Sequence, residues 1–253
     1  MSDLGKVSYE PKIVILEDAQ AVHVRAAEEI AHFAGEDICT HAEFNICLSG
    51  GSTPTASYDL LATRFKLSVD WREVRFFWGD ERCVPPENPL SNFGVANQAL
   101  LSKLSLRPDQ VHRIKGELPP AEGATQYEED LRESLGTEEG EFPRFGLVLL
   151  GLGDNAHTAS LFPGDAALKE ESRLAVPVEV NAEPKNRITL TAPLINNAAR
   201  VMFLVSGKGK AEAVKNIFGP RDPNRFPAQL IAPTQGELIW LLDKAAASLL
   251  PSV

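Results

Sequence analysis

Short apolar runs recur along the chain, several of them followed by polar or glycine-rich turns. They are Lys12–Leu16 (KIVIL), Phe44–Leu48 (FNICL), Val74–Trp78 (VRFFW), Phe145–Leu150 (FGLVLL), Arg187–Thr191 (RITLT), Val201–Val205 (VMFLV) and Leu238–Leu242 (LIWLL). Runs this short and apolar predict strands, and Phe145–Leu150 suits one buried on both faces. Between them the period changes. Val22, Ala26, Ile30 and Phe33 recur at helical spacing, which predicts a helix from Ala19 to about Ala34 with Asp18 as its cap. Further helices are expected from Thr55 to about Phe65, with Pro54 in the first turn, and from Asn92 to Leu104. The acidic stretch Pro119–Leu135 predicts a helix on the outside, and another runs from the Ser206–Lys210 turn to about Phe218. A short strand at Val111–Ile114 and a short helix after the last strand complete the set. Pro85, Pro86 and Pro89 keep their segment irregular, as do the prolines of Gly219–Pro227. Gly136–Pro143 is polar and turn-rich, but a strand follows at once, so it reads as a surface loop. Strands alternating with helices predict an α/β fold with a mostly parallel sheet, residues 1–253 forming one unit.

Four of the runs end in polar or glycine-rich turns: Ser49–Thr53, Asp80–Arg82, Gly153–His157 and Ser206–Lys210. In a parallel sheet the carboxyl ends of strands share one edge, so these turns are expected to converge on one crevice. Their repetition at the same point of the strand–helix unit carries more weight than any one of them.

Composition narrows the partner. The net charge is −10 over 253 residues, which argues against nucleic acid, whose phosphates would be repelled. A local cluster of arginine and lysine can still outweigh that field for a small anion. Three cysteines without a CxxC pairing point to a reducing, cytoplasmic setting. No apolar run nears the ~18 residues needed to span a bilayer, so no membrane partner is expected.

Each turn offers specific chemistry. Ser49-Gly50-Gly51-Ser52-Thr53 leads from a strand into a helix, where backbone N–H groups and the helix dipole favour an anion; as a plain capping turn, Ser52 or Thr53 would be the cap. The GK[ST] ending of a nucleotide P-loop is missing. Arg82 could clamp a carboxylate or polarise a carbonyl, with Asp80 or Glu81 holding its guanidinium. His157 is the group able to exchange a proton near neutral pH without help, and it follows a glycine turn. His23, His32, His41 and His112 read as structural. No second His or Cys stands at ligand spacing for a metal, and Ser160 lacks the GxSxG elbow of an acyl nucleophile. Arg187 and Lys210 could supply positive charge to a phosphate, while Lys208 reads as a surface lysine. A lysine at the opening of a helix opposes the dipole, and a bound anion would account for Lys210.

The motifs together are recognisable. LSGGSTP (Leu48–Pro54), FFWGDERCVP (Phe76–Pro85), SNFGVANQALL (Ser91–Leu101), GLGDNAHTASLFPG (Gly151–Gly164), RITLTAPLINNA (Arg187–Ala198), SGKGKA (Ser206–Ala211) and WLLD (Trp240–Asp243) resemble the bacterial-type 6-phosphogluconolactonases, related to glucosamine-6-phosphate deaminase. The resemblance spans nearly the whole chain. It implies a Rossmann-like three-layer domain of the deaminase, ribose-5-phosphate isomerase and CoA-transferase type, with a small accessory lobe. It implies hydrolysis of 6-phospho-D-glucono-1,5-lactone to 6-phospho-D-gluconate in the pentose phosphate pathway, with no metal or cofactor. The family's base lands on His157, and the arginine of its DER block on Arg82, beside Asp80 as a further catalytic residue. The phosphate turn lands on Gly50, Gly51, Ser52 and Thr53, and the superfamily lysine on Lys210; Asn155 and Arg187 join as substrate-binding residues. A monomer or weak homodimer is expected. One departure stands out: the family's Asp-Gly before the histidine is Asn155-Ala156 here. The amide can hydrogen-bond but cannot stabilise imidazolium by charge, Asp154 is a neighbour that could compensate, and Ala156 implies a backbone with no need of positive φ. The rivals are a sugar-phosphate isomerase or deaminase, and a non-catalytic sugar-phosphate sensor that kept the pocket.

Overall fold

A computed structural model describes residues 10–251. In chain order the elements are β1 (Lys12–Leu16), α1 (Ala19–His41), β2 (Phe44–Leu48), α2 (Ser52–Ala62), β3 (Val74–Trp78), β4 (Asp80–Arg82), α3 (Asn92–Ala99), α4 (Pro120–Leu135), β5 (Leu147–Leu150), β6 (Ala175–Glu179), β7 (Asn186–Leu190), α5 (Ala192–Asn196), β8 (Arg200–Val205), α6 (Ala211–Ile217) and β9 (Glu237–Asp243). Six strands form one sheet in the order β1-β9-β8-β5-β2-β3. Every neighbouring pair in it is parallel. The central strands are buried on both faces because helices cover both sides, which is why their sequences run apolar without alternation. Phe203 of β8 and Trp240 of β9 stack at 3.8 Å within this core.

The second sheet is antiparallel, in the order β4-β7-β6. Arg187–Thr191 thus lies outside the parallel sheet, although its pattern resembled the others. β4 and β6 were not foreseen. β4 is three charged residues long, and β6 (AVPVE) carries Pro177 on an edge, where a missing N–H does no harm.

Other boundaries moved for physical reasons. α1 runs seven residues beyond Ala34 because the polar Asp37 is buried on the same face, paired with Arg200 at 2.9 Å. α2 begins three residues earlier than expected, and α3 ends at Ala99, followed by a 3-10 turn at Leu101–Lys103. Val111 makes only an isolated bridge to Phe76, and the segment after β9 is a series of turns with no helix. The acidic α4 does more than cover the surface. Its Tyr127 and Leu131 are buried, and its Glu128 accepts from Arg173 and from the Leu174 and Ala175 backbone, tying it to the start of β6. No described helix is long and apolar enough to cross a membrane, and all three cysteines are free.

Candidate active site

β2 and β5 are neighbours, but the chain leaves β2 towards β3 on one side and β5 towards β8 on the other. Their carboxyl ends therefore flank the point where the winding reverses, the place where open parallel sheets leave a crevice. A cavity of about 250 Å³ opens there, lined by residues from all four predicted turns: Gly50–Thr53, Asp80 and Arg82, Gly153 and His157, and Ser206 and Lys210. Arg187 and Asn92 join them, whereas Lys208 does not line it.

Two buried phenols fix the strand ends beneath this cavity. Tyr58 of α2 accepts from the Ser49 backbone N–H and donates to the Ser49 carbonyl, at 3.0 and 2.8 Å. Tyr127 of α4 does the same for Trp78, at 2.9 Å each way. Each hydroxyl satisfies backbone groups where the ladder stops, so the loops leave the sheet from anchored positions.

One flank is suited to an anion. Gly51, with φ +102°, turns the chain into α2, and no side chain caps that helix. Neither Ser52 nor Thr53 is the cap, so the first-turn N–H groups face the cavity unclaimed by a side chain. Thr53 Oγ1 and Ser206 Oγ share a hydrogen bond at 2.9 Å, joining the loops after β2 and β8. Gly207 N–H donates to the buried Asp243 carboxylate at 2.8 Å, which holds the second loop. Lys210, which lines the cavity, donates from Nζ to the exposed Asp154. Asp154 supplies the counter-charge that the sequence alone left to a bound anion.

The other flank holds the imidazole. His157 Nδ1 lies 2.6 Å from Asn155 Oδ1, which also accepts the His157 backbone N–H at 3.2 Å. An amide carbonyl oxygen has no hydrogen to donate, so Nδ1 carries the proton and Nε2 is left as a base. Asn155 is therefore a partner of the imidazole, and it does not line the cavity. Gly153 makes room: a Cβ there would stand 2.0 Å from His157 Nδ1. Phe162 stacks on the imidazole at 4.2 Å. Ala156 has φ +64°, so the backbone does enter the left-handed region, against the expectation that it has no need of positive φ. Its carbonyl accepts from Ala228 N at 3.0 Å, and its N–H donates to Gly153 O at 2.9 Å, and these bonds hold a conformation unfavourable for alanine.

The antiparallel sheet supplies the remaining charges. Arg82 and Arg187 face each other across the β4–β7 pair. Like charges opposed in this way are destabilising, and the Nε of each is buried without a partner. Arg82 is held by the Leu90 carbonyl at 2.7 Å, and neither acidic neighbour binds its guanidinium. Glu81 turns inward and accepts from Ser91 Oγ and from the Asn92 and Phe93 N–H groups at the start of α3. Asp80 accepts from Ser160 Oγ at 2.7 Å and Asn92 Nδ2 at 3.1 Å. Ser160 is thus bound to a carboxylate and buried, in keeping with its exclusion as a nucleophile.

These surroundings set the proton affinity. Burial pushes the His157 imidazole down to about 4; Asp80 works against that, Arg187 and Lys210 with it. Burial also lowers the pKa of Arg187, again opposed by Asp80. Among the described residues no cluster of His, Cys, Asp and Glu is arranged to hold a metal ion. Asn92, Phe162, Tyr58 and Asp243 escaped the sequence reading. Asn92 and Phe162 stood inside the quoted motifs without a role, and no local pattern marks a tyrosine that caps a strand.

Residues 17–240 match the family described as glucosamine-6-phosphate isomerases/6-phosphogluconolactonase. A 6-phosphogluconolactonase from Synechocystis sp. is 40% identical over 238 residues, covering 93% of this chain and 97% of that protein. One from Nostoc sp. is 39% identical with the same coverage. Among solved structures, the 6-phosphogluconolactonase from Trypanosoma cruzi superposes with a TM-score of 0.87 at 31% identity, over 98% of this chain and 99% of that one. A monomeric glucosamine-6-phosphate deaminase shares the fold, with a TM-score of 0.79 at 23% identity over 94% of this chain and 99% of that one.

Proposed function

This chain belongs to the glucosamine-6-phosphate isomerase/6-phosphogluconolactonase family, and we propose that its cavity hydrolyses 6-phospho-D-glucono-1,5-lactone to 6-phospho-D-gluconate. It is a carboxylic ester hydrolase of the oxidative pentose phosphate pathway. The observation that carries the site assignment is one cavity holding an imidazole with a free Nε2 beside an uncapped helix N-terminus, Lys210, Arg82 and Arg187.

In this reading the Gly50–Thr53 turn and Lys210 hold the 6-phosphate, and Arg187 adds charge to the same end. The phosphate competes with Asp154 for Lys210. The bound lactone presents C1 to a water beside His157. Nε2 takes a proton from that water as its oxygen adds to C1, and the carbonyl oxygen becomes an oxyanion facing Arg82. The tetrahedral intermediate then collapses. The C1–O5 bond breaks, the imidazolium returns the proton to O5, and a carboxylic acid that ionises at neutral pH is released. One water is consumed and no covalent enzyme intermediate forms. Six-membered lactones already open in water, so general-base help of roughly 10²–10⁴-fold plus positioning is sufficient. Asp80 opposes the low pKa of His157 and so helps it carry the proton between the two steps.

The test is lactone hydrolysis measured above the spontaneous rate, on substrate with and without the 6-phosphate. The reading predicts strong preference for the phosphorylated lactone. Equal rates on both would remove the phosphate seat, and no rate above background would remove the activity. Release of ammonia from glucosamine 6-phosphate would instead indicate the deaminase chemistry.

A further inference from the structure

We infer that Phe162 is a positioning residue that couples the base to the anion-binding arginine, one aromatic ring serving as the platform for both. The inference rests on the roles given above to His157 and Arg187. The chain turns back on itself after the histidine: Leu161 N–H donates to Thr158 O at 2.9 Å, and Thr158 and Leu161 form an isolated bridge. This reversal lays the next side chain, Phe162, over the imidazole, with ring centroids 4.2 Å apart and planes inclined by 22°. The same ring receives Arg187 from β7, whose Cζ lies 5.5 Å from its centroid.

Neither partner has many other restraints. The imidazole is held at one edge by Asn155 and abuts Gly153, which offers no side chain to grip it. The Arg187 Nε is buried without a hydrogen-bond partner, and Arg82 stands opposite it across the strand pair. A guanidinium over an aromatic face gains electrostatic attraction without a carboxylate that would compete with a phosphate. Phe162 itself does not line the cavity. It is partly buried and packed against the hydrophobic core, so its position is set by the fold and not by the ligand. It thereby fixes the separation between the proton-accepting nitrogen and one positive charge of the anion seat.

The test is a double-mutant cycle on lactone hydrolysis with Phe162→Leu, Phe162→Tyr, Arg187→Met and the Leu/Met pair. Phe162→Leu is expected to lower kcat roughly 10-fold through misplacement of the base and to raise KM about 3-fold through loss of the cation–aromatic contact. Phe162→Tyr keeps the ring and stays close to the parent in both. In the Arg187→Met background Phe162→Leu still lowers kcat but no longer raises KM. A residue that merely supports folding would reduce the amount of active enzyme, leaving KM unchanged and showing no dependence on Arg187. Parent-like kinetics in Phe162→Leu, equal damage from Tyr and Leu, or a KM rise that persists without Arg187 would each overturn the proposal. If His157→Gln retains full activity, the base assignment itself fails; if that variant is inactive while Phe162→Leu is normal, only the platform fails.

Discussion

The two sheets equip the same cavity in different ways. The parallel sheet contributes loops: the uncapped start of α2, the His157 turn and the Lys210 turn all lie just past the carboxyl ends of its strands. The antiparallel sheet contributes side chains from within its strands, Asp80 and Arg82 on β4 and Arg187 on β7. Loop groups can shift to meet a ligand, and in the proposed mechanism Lys210 would exchange Asp154 for the phosphate. Strand groups are held in register, and the cross-strand arginine pair carries a mutual repulsion that a bound anion would relieve. In the proposed mechanism the first sheet therefore supplies the chemistry and an adjustable grip, and the second a fixed field.

Substitutions can separate these contributions. The largest effect is expected on the loop side, from His157→Gln, which should lower kcat by roughly 10²–10⁴-fold with little change in KM. Steady-state kinetics corrected for spontaneous hydrolysis checks it. Gly153→Ala should follow, at about 10² in kcat, since the added methyl occupies the place of the imidazole; a thermal melt distinguishes displacement of the ring from loss of fold. Lys210→Met should raise KM about 10-fold, the loss of one charge-assisted hydrogen bond, and leave kcat nearly intact. If Arg187→Met raises KM equally but also lowers kcat, the fixed field reaches the reacting carbon as well as the phosphate.

Asn155→Asp tests the neutral partner of the base. The folded imidazole sits near 4, below its ordinary value of about 6.5, so it stays unprotonated and active until the pH falls through about 4. The unfolded chain takes up that proton at higher pH, so this group's contribution to stability also declines as pH falls from about 6.5 to about 4. A carboxylate at 155 favours imidazolium and should move the acid limb of kcat/KM upward by roughly one unit. An unmoved limb would mean that Asn155 does not touch the titrating group. Asp154→Asn should have the smallest effect, a fall in KM of less than about threefold, because the exposed ion pair it removes is weak.

What could be read from the chain in advance follows the same division. Strands buried on both faces leave continuous apolar runs, so the centre of the parallel sheet and its loops were visible, down to the bounds of β2 and β3; β1 was also visible from its apolar run, although it is an edge strand with Ile13 and Ile15 exposed. β4 was hidden because its three residues are all charged, and the partners that let Asp80 and Glu81 be buried, Ser160, Ser91 and Asn92, are far away in sequence or assigned to other elements. Asn155 and Ala156 are both legible as a departure, but only the alanine's backbone runs against expectation. The amide accepts from the His157 ring and backbone, and the alanine adopts a positive φ because backbone bonds hold it there. Phe162 was invisible for a simpler reason: a phenylalanine in a motif looks like core until its ring is found beneath an imidazole and a guanidinium.

The central claim concerns where one proton resides. Nitrogen-15 NMR of the His157 imidazole, titrated in the free enzyme, reports both tautomer and pKa. The account predicts Nδ1–H with Nε2 unprotonated and a midpoint near 4. An Nε2–H tautomer, or a midpoint at the ordinary 6.5 that Asn155→Asp leaves in place, would contradict it.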